Sequence, residues 1–158
     1  MTAQFSYRKI NSEEFIKLKP LFPDTEEMWQ KYSAQQLKLF EEKKIDKYVI
    51  EFDGKFIGEV TAYYVSHTLP AETIPNVRAY FEAFRVCDEH QNKGLGQGLM
   101  EFAIDDLKKR GYSEFTIGVE EDNKIAKHIY FKLGFTEVVG YGHGNEFDPC
   151  DYTLYLKR

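Results

Sequence analysis

The run Val86-Cys87-Asp88-Glu89-His90-Gln91-Asn92-Lys93-Gly94-Leu95-Gly96-Gln97-Gly98-Leu99 concentrates residue types that can hold an anion. Leu95, Leu99, Phe102, Ala103 and Leu107 recur on one helical face, which puts Gly94 and Gly96 at a helix N-terminus. There the first backbone N–H groups lack intrahelical acceptors and the helix dipole adds positive potential. A glycine offers no side chain to keep a phosphate away. Glycines also permit a tight turn with no ligand, so the neighbouring residues must decide. A Walker A loop needs Gly-Lys-Ser/Thr, whereas Gly96 is followed by Gln97 and Gly98, without a lysine for phosphates or a hydroxyl for magnesium. A dinucleotide fingerprint needs Gly-x-Gly-x-x-Gly directly after its strand. Gly94-x-Gly96-x-Gly98 has a different spacing and follows a polar stretch from Asp88 to Lys93.

Two further side chains carry chemistry by type and place. Asn123, Ala126 and Tyr130 stand at i, i+3 and i+7, so Asn123 and Tyr130 share a helix face, with Ile125, Ile129 and Leu133 on the adjoining apolar one. A phenol at that border is either a core residue or a proton donor. Glu82 shares a strand face with residues 84 and 86 by the period of two, and is either an exposed structural acid or a proton acceptor. His67, His90, His128 and His143 show no mutual metal-ligand spacing, and no metal is expected. Cys87 and Cys150 form no CxxC and have no histidine partner by sequence; they read as buried thiols in a reducing compartment.

The elements that must position these groups follow from the pattern. Phe5 to Ile10 alternates as a half-buried strand, and Asn11 with Glu14 forms a capping box for a helix through Phe15, Leu18 and Phe22, limited by Pro20 and Pro23. Asp24 with Glu27 repeats that pattern ahead of Met28, Trp29, Tyr32, Leu37 and Phe40, closing at the charged run Glu41 to Lys44. Tyr48 to Phe52, Asp53-Gly54 and Phe56 to Val60 predict a hairpin, because Asp-Gly supplies the positive φ angles of a two-residue turn. His67 to Pro75 reads as a loop and Arg78 to Val86 as a strand. Then come a helix over 95–110, a strand over 115–119, a helix over 123–133, and strands over 135–139 and 152–156.

The chain has 158 residues, 42% hydrophobic and 16% aromatic, which fits a single domain over 1–158 with a core large enough to need no disulfides. Intrinsic disorder is excluded. No apolar run approaches the ~20 residues that span a bilayer, and residues 1–9 lack the apolar stretch of a signal peptide, so a soluble, cytoplasmic protein without a membrane partner is expected. The net charge is −5, with 11 basic against 12 acidic residues over 1–79 and 10 against 14 over 80–158. Nucleic acid is therefore not expected as a partner, and a cationic one would suit the field.

Gln91-x-x-Gly94-x-Gly96, behind a strand ending at Val86, resembles the Gln/Arg-x-x-Gly-x-Gly/Ala signature of the GNAT family of N-acetyltransferases. Asn123-x-x-Ala126-x-x-x-Tyr130-x-x-Leu133-Gly134-Phe135 is similar to that family's second signature, and residues 1–85 agree in element order. The resemblance implies an α/β (α+β) GNAT fold: a mixed, strongly twisted sheet of six to seven strands with about four helices. It also implies that the sheet splays between its fourth and fifth strands and takes acetyl-CoA there. It assigns Val86 to the pantetheine arm, Gln91, Asn92, Lys93, Gly94, Leu95, Gly96 and Gln97 to the pyrophosphate, and Asn123 to the cofactor. It makes Tyr130 the acid that protonates the leaving thiolate.

The amine must also lose a proton. Two positions where relatives carry a glutamate hold Tyr80 and Gly118 here, which leaves Glu82, Glu120 or a water chain as the base, with Glu82 the best placed. Direct transfer to a primary amine of a small cationic molecule is the implied activity. A peptide or protein N-terminus or lysine is an alternative acceptor, a non-catalytic acyl-CoA sensor an alternative function, and a homodimer an open option. The segments expected to meet the acceptor are 24–42, 65–76 and 141–149, with Asp24, Glu26, Glu27, Glu72, Glu146, Asp148, Trp29 and Tyr141, and with His143 to Glu146 as a loop over it.

Overall fold

The computed structural model describes residues 4–144, 146, 147 and 149–158. The strands are β1 (Phe5–Lys9), β2 (Ile45–Phe52), β3 (Lys55–Tyr63), β4 (Arg78–Val86), β5 (Glu114–Val119), β6 (Glu137–Gly142) and β7 (Tyr152–Lys157). The α-helices are α1 (Glu26–Glu41), α2 (Leu95–Lys109) and α3 (Lys124–Lys132), joined by a ten-residue 3-10 helix over Ser12–Leu21. The sheet order is β1-β2-β3-β4-β5-β7-β6, with β4 and β5 parallel and β5, β7 and β6 antiparallel in turn. This is the expected mixed sheet of seven strands. The chain forms two compact units, Met1–Ala62 with Ala83–Ala103, and Tyr63–Glu82 with Ile104–Arg158.

In the first unit the capping box at Asn11 and Glu14 is present, but the segment it opens is a 3-10 helix rather than an α-helix. Phe15, Leu18 and Leu21 are its buried side chains, a spacing of three that matches the 3-10 period, and Pro20 has no N–H to give to an α-helical bond. Phe22 falls at the cap instead of within the helix. The next helix is capped by Thr25, whose Oγ1 accepts from the Met28 N–H at 3.2 Å, and not by Asp24, which accepts from the Thr25 N–H. Asp53 and Gly54 both have positive φ, 52° and 76°, as the hairpin turn requires.

One face of the first unit is an apolar cluster of Ile10, Phe15, Leu18, Leu21, Trp29, Val49 and Phe56. A buried ionic group also lies in this unit. Lys47, 1% exposed, donates to Thr61 Oγ1 at 2.7 Å and stands 3.9 Å from Glu59 Oε1, while Arg85 Nε is 3.8 Å from Glu59 Oε2.

The second unit packs Phe81 against Phe115 (6.0 Å between ring centroids) and edge-on to Phe135, with Ile117, Leu154 and Leu156 buried around them. Two sequence expectations change here. Ile125 is 78% exposed, so the buried face of α3 runs through Tyr130 and Leu133 without it. Cys150 is exposed and Cys87 only half-buried, so neither is the buried thiol that the spacing suggested. Among the described residues no helix is long and apolar enough to cross a membrane.

Candidate active site

In the first unit the glycine segment is built around the start of α2. The first intrahelical bond runs from the Gly98 N–H to the Gly94 carbonyl at 3.1 Å, so the N–H groups of Leu95, Gly96 and Gln97 have no acceptor inside the helix. The first turn carries no acid that would occupy them. Gly94 has φ 76° and Asn92 φ 63°, the left-handed conformation that turns the chain from the Asp88–His90 turn into the helix. At Gly96 the reason is space: a Cβ would stand 2.8 Å from Phe84 Cζ and 3.3 Å from Val86 Cγ2. Side chains larger than hydrogen at 94 and 96 would thus strain the turn or push the helix off β4.

Gln91 braces this loop, donating from Nε2 to the Val86 carbonyl at 2.9 Å and to Asp88 Oδ1 at 3.2 Å. The Cys87 N–H donates to Ile57 of β3 at 2.8 Å, and by strand alternation the main-chain groups of Val86 face away from β3. Lys93 is exposed on the loop, whereas the Gln97 side chain turns back to Glu101 at 3.1 Å and leaves only its N–H for a ligand. The segment is thus a cradle of three free N–H groups with one lysine beside it, and its donor set fits a pyrophosphate.

In the second unit Tyr130 lies on α3, 6% exposed and edge-on to Phe135 at 6.2 Å; burial raises its pKa and keeps the phenol protonated. Asn123 caps α3, its Oδ1 accepting from the Ala126 N–H at 3.1 Å, so the side-chain oxygen serves the helix. Beyond the parallel register of Arg78–Phe81 against Glu114–Ile117 the next residue of β4 is Glu82, followed by Ala83 with φ 57°.

Glu82 is not a lone carboxylate. Its Oε2 is 2.9 Å from His67 Nδ1, and this bond raises the His67 pKa above its ordinary value against a smaller opposing effect of burial. The His67 ring stacks on Tyr63 at 5.2 Å and 17°. Glu72, fully buried, accepts from the His67 N–H (2.6 Å), the Thr68 N–H (2.9 Å) and the Tyr152 hydroxyl (2.9 Å). Tyr80 is 4% exposed, and its pKa is raised by burial and then by Glu82 and Glu72.

His67 and Tyr152 were not singled out by sequence. The spacing of His67 and Glu72 in a proline-flanked loop was the available signal, and Tyr152 is too distant in sequence to have given one. Several residues expected at the acceptor are otherwise engaged: Trp29 and Glu72 are buried, and Glu26 pairs with Lys19. Tyr141 is 74% exposed, whereas Asn145 and Asp148 lie outside the described residues. His143, exposed, stands 3.1 Å from Asp151 Oδ1. Among the described residues no group of three or more His, Cys, Asp or Glu has metal-holding geometry.

The profile of the Acetyltransferase (GNAT) family matches residues 8–135. The chain belongs to this family. Among curated proteins, the ribosomal protein bS18 alanine N-acetyltransferase of Escherichia coli is 41% identical over 49 residues, 31% of this chain and 33% of that protein. The match thus spans about a third of that relative's length. Among solved structures, the PaiA N-acetyltransferase of Thermoplasma acidophilum in complex with coenzyme A superposes with TM-score 0.70 at 20% identity, covering 98% of this chain and 99% of that one. A chimeric spermidine N-acetyltransferase from Vibrio cholerae does so with TM-score 0.72 at 19% identity, covering 98% and 95%.

Proposed function

We propose that the protein transfers the acetyl group of acetyl-CoA directly to a primary amine of a small cationic molecule. The observation that carries this reading is the N-terminus of α2, where Leu95, Gly96 and Gln97 present three N–H groups free of intrahelical bonds. Gln91 steadies the loop through the Val86 carbonyl, the Val86 main chain serves the pantetheine arm, and Asn92 and Gly94 give the loop its turn. Lys93 adds a cation at the phosphates. Tyr130, held protonated by burial, donates its hydroxyl proton toward the departing sulfur. Asn123 fixes the start of the helix that carries it. Glu82, with the net charge of −5, favours a cationic acceptor.

A protein N-terminal alanine is the second reading, favoured by the matching stretch of the bS18 acetyltransferase. The test is release of CoA thiol from acetyl-CoA over a panel of polyamines, aminoglycosides, amino acids and alanine-initiated peptides. Turnover with the small amines supports the first reading and turnover with the peptides alone the second. CoA binding without thiol release from any amine would make the protein a sensor and overturn both. The Tyr130→Phe variant is expected to lower kcat by about 10²-fold, while undiminished turnover removes Tyr130 as the acid.

A further inference from the structure

We propose that His67 is the general base of the transfer, accepting the amine proton at Nε2 while Glu82 holds Nδ1; the inference rests on the acetyltransferase reading above. A carboxylate base at the two positions where relatives carry one is excluded here. Position 80 is a buried tyrosine, and at position 118 a Cβ would stand 2.5 Å from Tyr152 Cδ2. What the second unit offers instead is an imidazole fixed by three contacts. The His67 N–H is held by Glu72, the ring by Tyr63, and Nδ1 by Glu82 at 2.9 Å. With the proton on Nδ1, directed at the carboxylate, the lone pair is on Nε2, which has no hydrogen-bond partner among the described residues. The imidazole is 37% exposed and Glu82 25%, so an amine can reach the ring while the carboxylate behind it is more sheltered. Glu82 is in this arrangement a positioning residue.

The balanced step is simple. The ammonium of the acceptor gives one proton to Nε2; the freed lone pair attacks the thioester carbonyl, forming C–N and breaking C–S. The thiolate takes a proton from Tyr130, and the nitrogen's second proton passes through solvent to restore the phenol, leaving amide, CoA thiol and an imidazolium that discharges to water. The titratable groups facing His67 are Glu82 from β4, Glu72 from the 70–72 turn and Tyr63 from β3, with Tyr80 and Tyr152 next to the two carboxylates. The two acids favour the imidazolium, which suits a base that must take a proton from an alkylammonium.

The experiment compares kcat/KM as a function of pH for the wild type, His67→Ala and Glu82→Gln with one amine that the wild type acetylates. His67→Ala is expected to lose about 10²-fold in kcat/KM. Added imidazoles should restore turnover in proportion to their basicity, which filling a structural gap would not produce. Glu82→Gln, which keeps the side chain's shape, should retain turnover and move the acid limb to lower pH. Wild-type kcat/KM in His67→Ala, or a loss that imidazoles of any basicity leave unrestored, overturns the assignment while the acetyltransferase reading stands. Absence of thiol release by the wild type with every amine overturns that reading and the assignment with it.

Discussion

The Tyr152 ring lies over Gly118, so closely that a Cβ there would come within 2.5 Å of its Cδ2, and its hydroxyl donates to the buried Glu72 at 2.9 Å. One ring thus connects the adjacent strands β5 and β7 to the loop that presents His67. The missing side chain at 118 is a condition for this arrangement, because the atom it would meet belongs to a ring held at its far end. Gly118→Ala is expected to destabilise the protein by about 2 kcal/mol through overpacking, measured as a lower urea midpoint at unchanged slope. An unchanged midpoint would show that the ring moves aside without cost.

The glycine segment before α2, proposed to hold the cofactor, combines packing with charge, and two substitutions separate them. Gly96→Val would press on Phe84 and Val86, tilting the N–H groups of α2 away from the ligand, and its loss of CoA affinity should hardly vary with salt. Lys93→Gln removes one exposed charge, and its effect, at most about tenfold at low salt, should shrink as ionic strength rises. Titration calorimetry at two salt concentrations distinguishes the two; equal salt sensitivity would contradict the division of roles.

The His67–Glu82 pair also marks stability with a pH signature. Since the folded state raises the His67 pKa above the unfolded value, folding takes up a proton. The contribution is complete below the unfolded pKa of about 6.5 and is lost as pH rises through the folded one. The excess stability of wild type over Glu82→Gln should therefore be present below about pH 6.5 and decline as pH rises above it. Urea midpoints taken across that range test the sign, which a difference growing toward alkaline pH would reverse.

Deep in the first unit, Glu59 stands between the charges of Lys47 and Arg85. Glu59→Leu leaves the Lys47 ammonium buried without this carboxylate and should cost about 3 kcal/mol. Combining it with Lys47→Met should recover most of that loss, measured by a double-mutant cycle in urea. Additive losses would mean that the two side chains do not act as a pair.

Local chemistry was legible where it sufficed to determine structure. Asp53-Gly54 announced its turn, Asn11 and Glu14 their capping box, and Gly94 and Gly96 the start of α2, because each signal is complete within a few residues. The same capping box misled about what it opened, since it leaves open whether three or 3.6 residues follow per turn; Phe15, Leu18 and Leu21 carry that information in their spacing. Thr25 displaced Asp24 as the cap by one position, a shift that the acids at the start of α1 conceal. Glu72 was expected at the acceptor, but its acceptor capacity is used by two main-chain N–H groups and a tyrosine 80 positions away, partners that no local pattern reveals. At the candidate site the glycine turn before α2 could be read from its motif, whereas the His67–Glu82 pair exists only once Val65–Asn76 is laid against β4.

A lysine that is 1% exposed differs from every surface amine in one practical respect. Reagents that acylate amines reach Lys47 only when the first unit opens, so the rate at which mass spectrometry finds Lys47 labelled counts opening events. That residue serves as an internal clock for how often the fold comes apart.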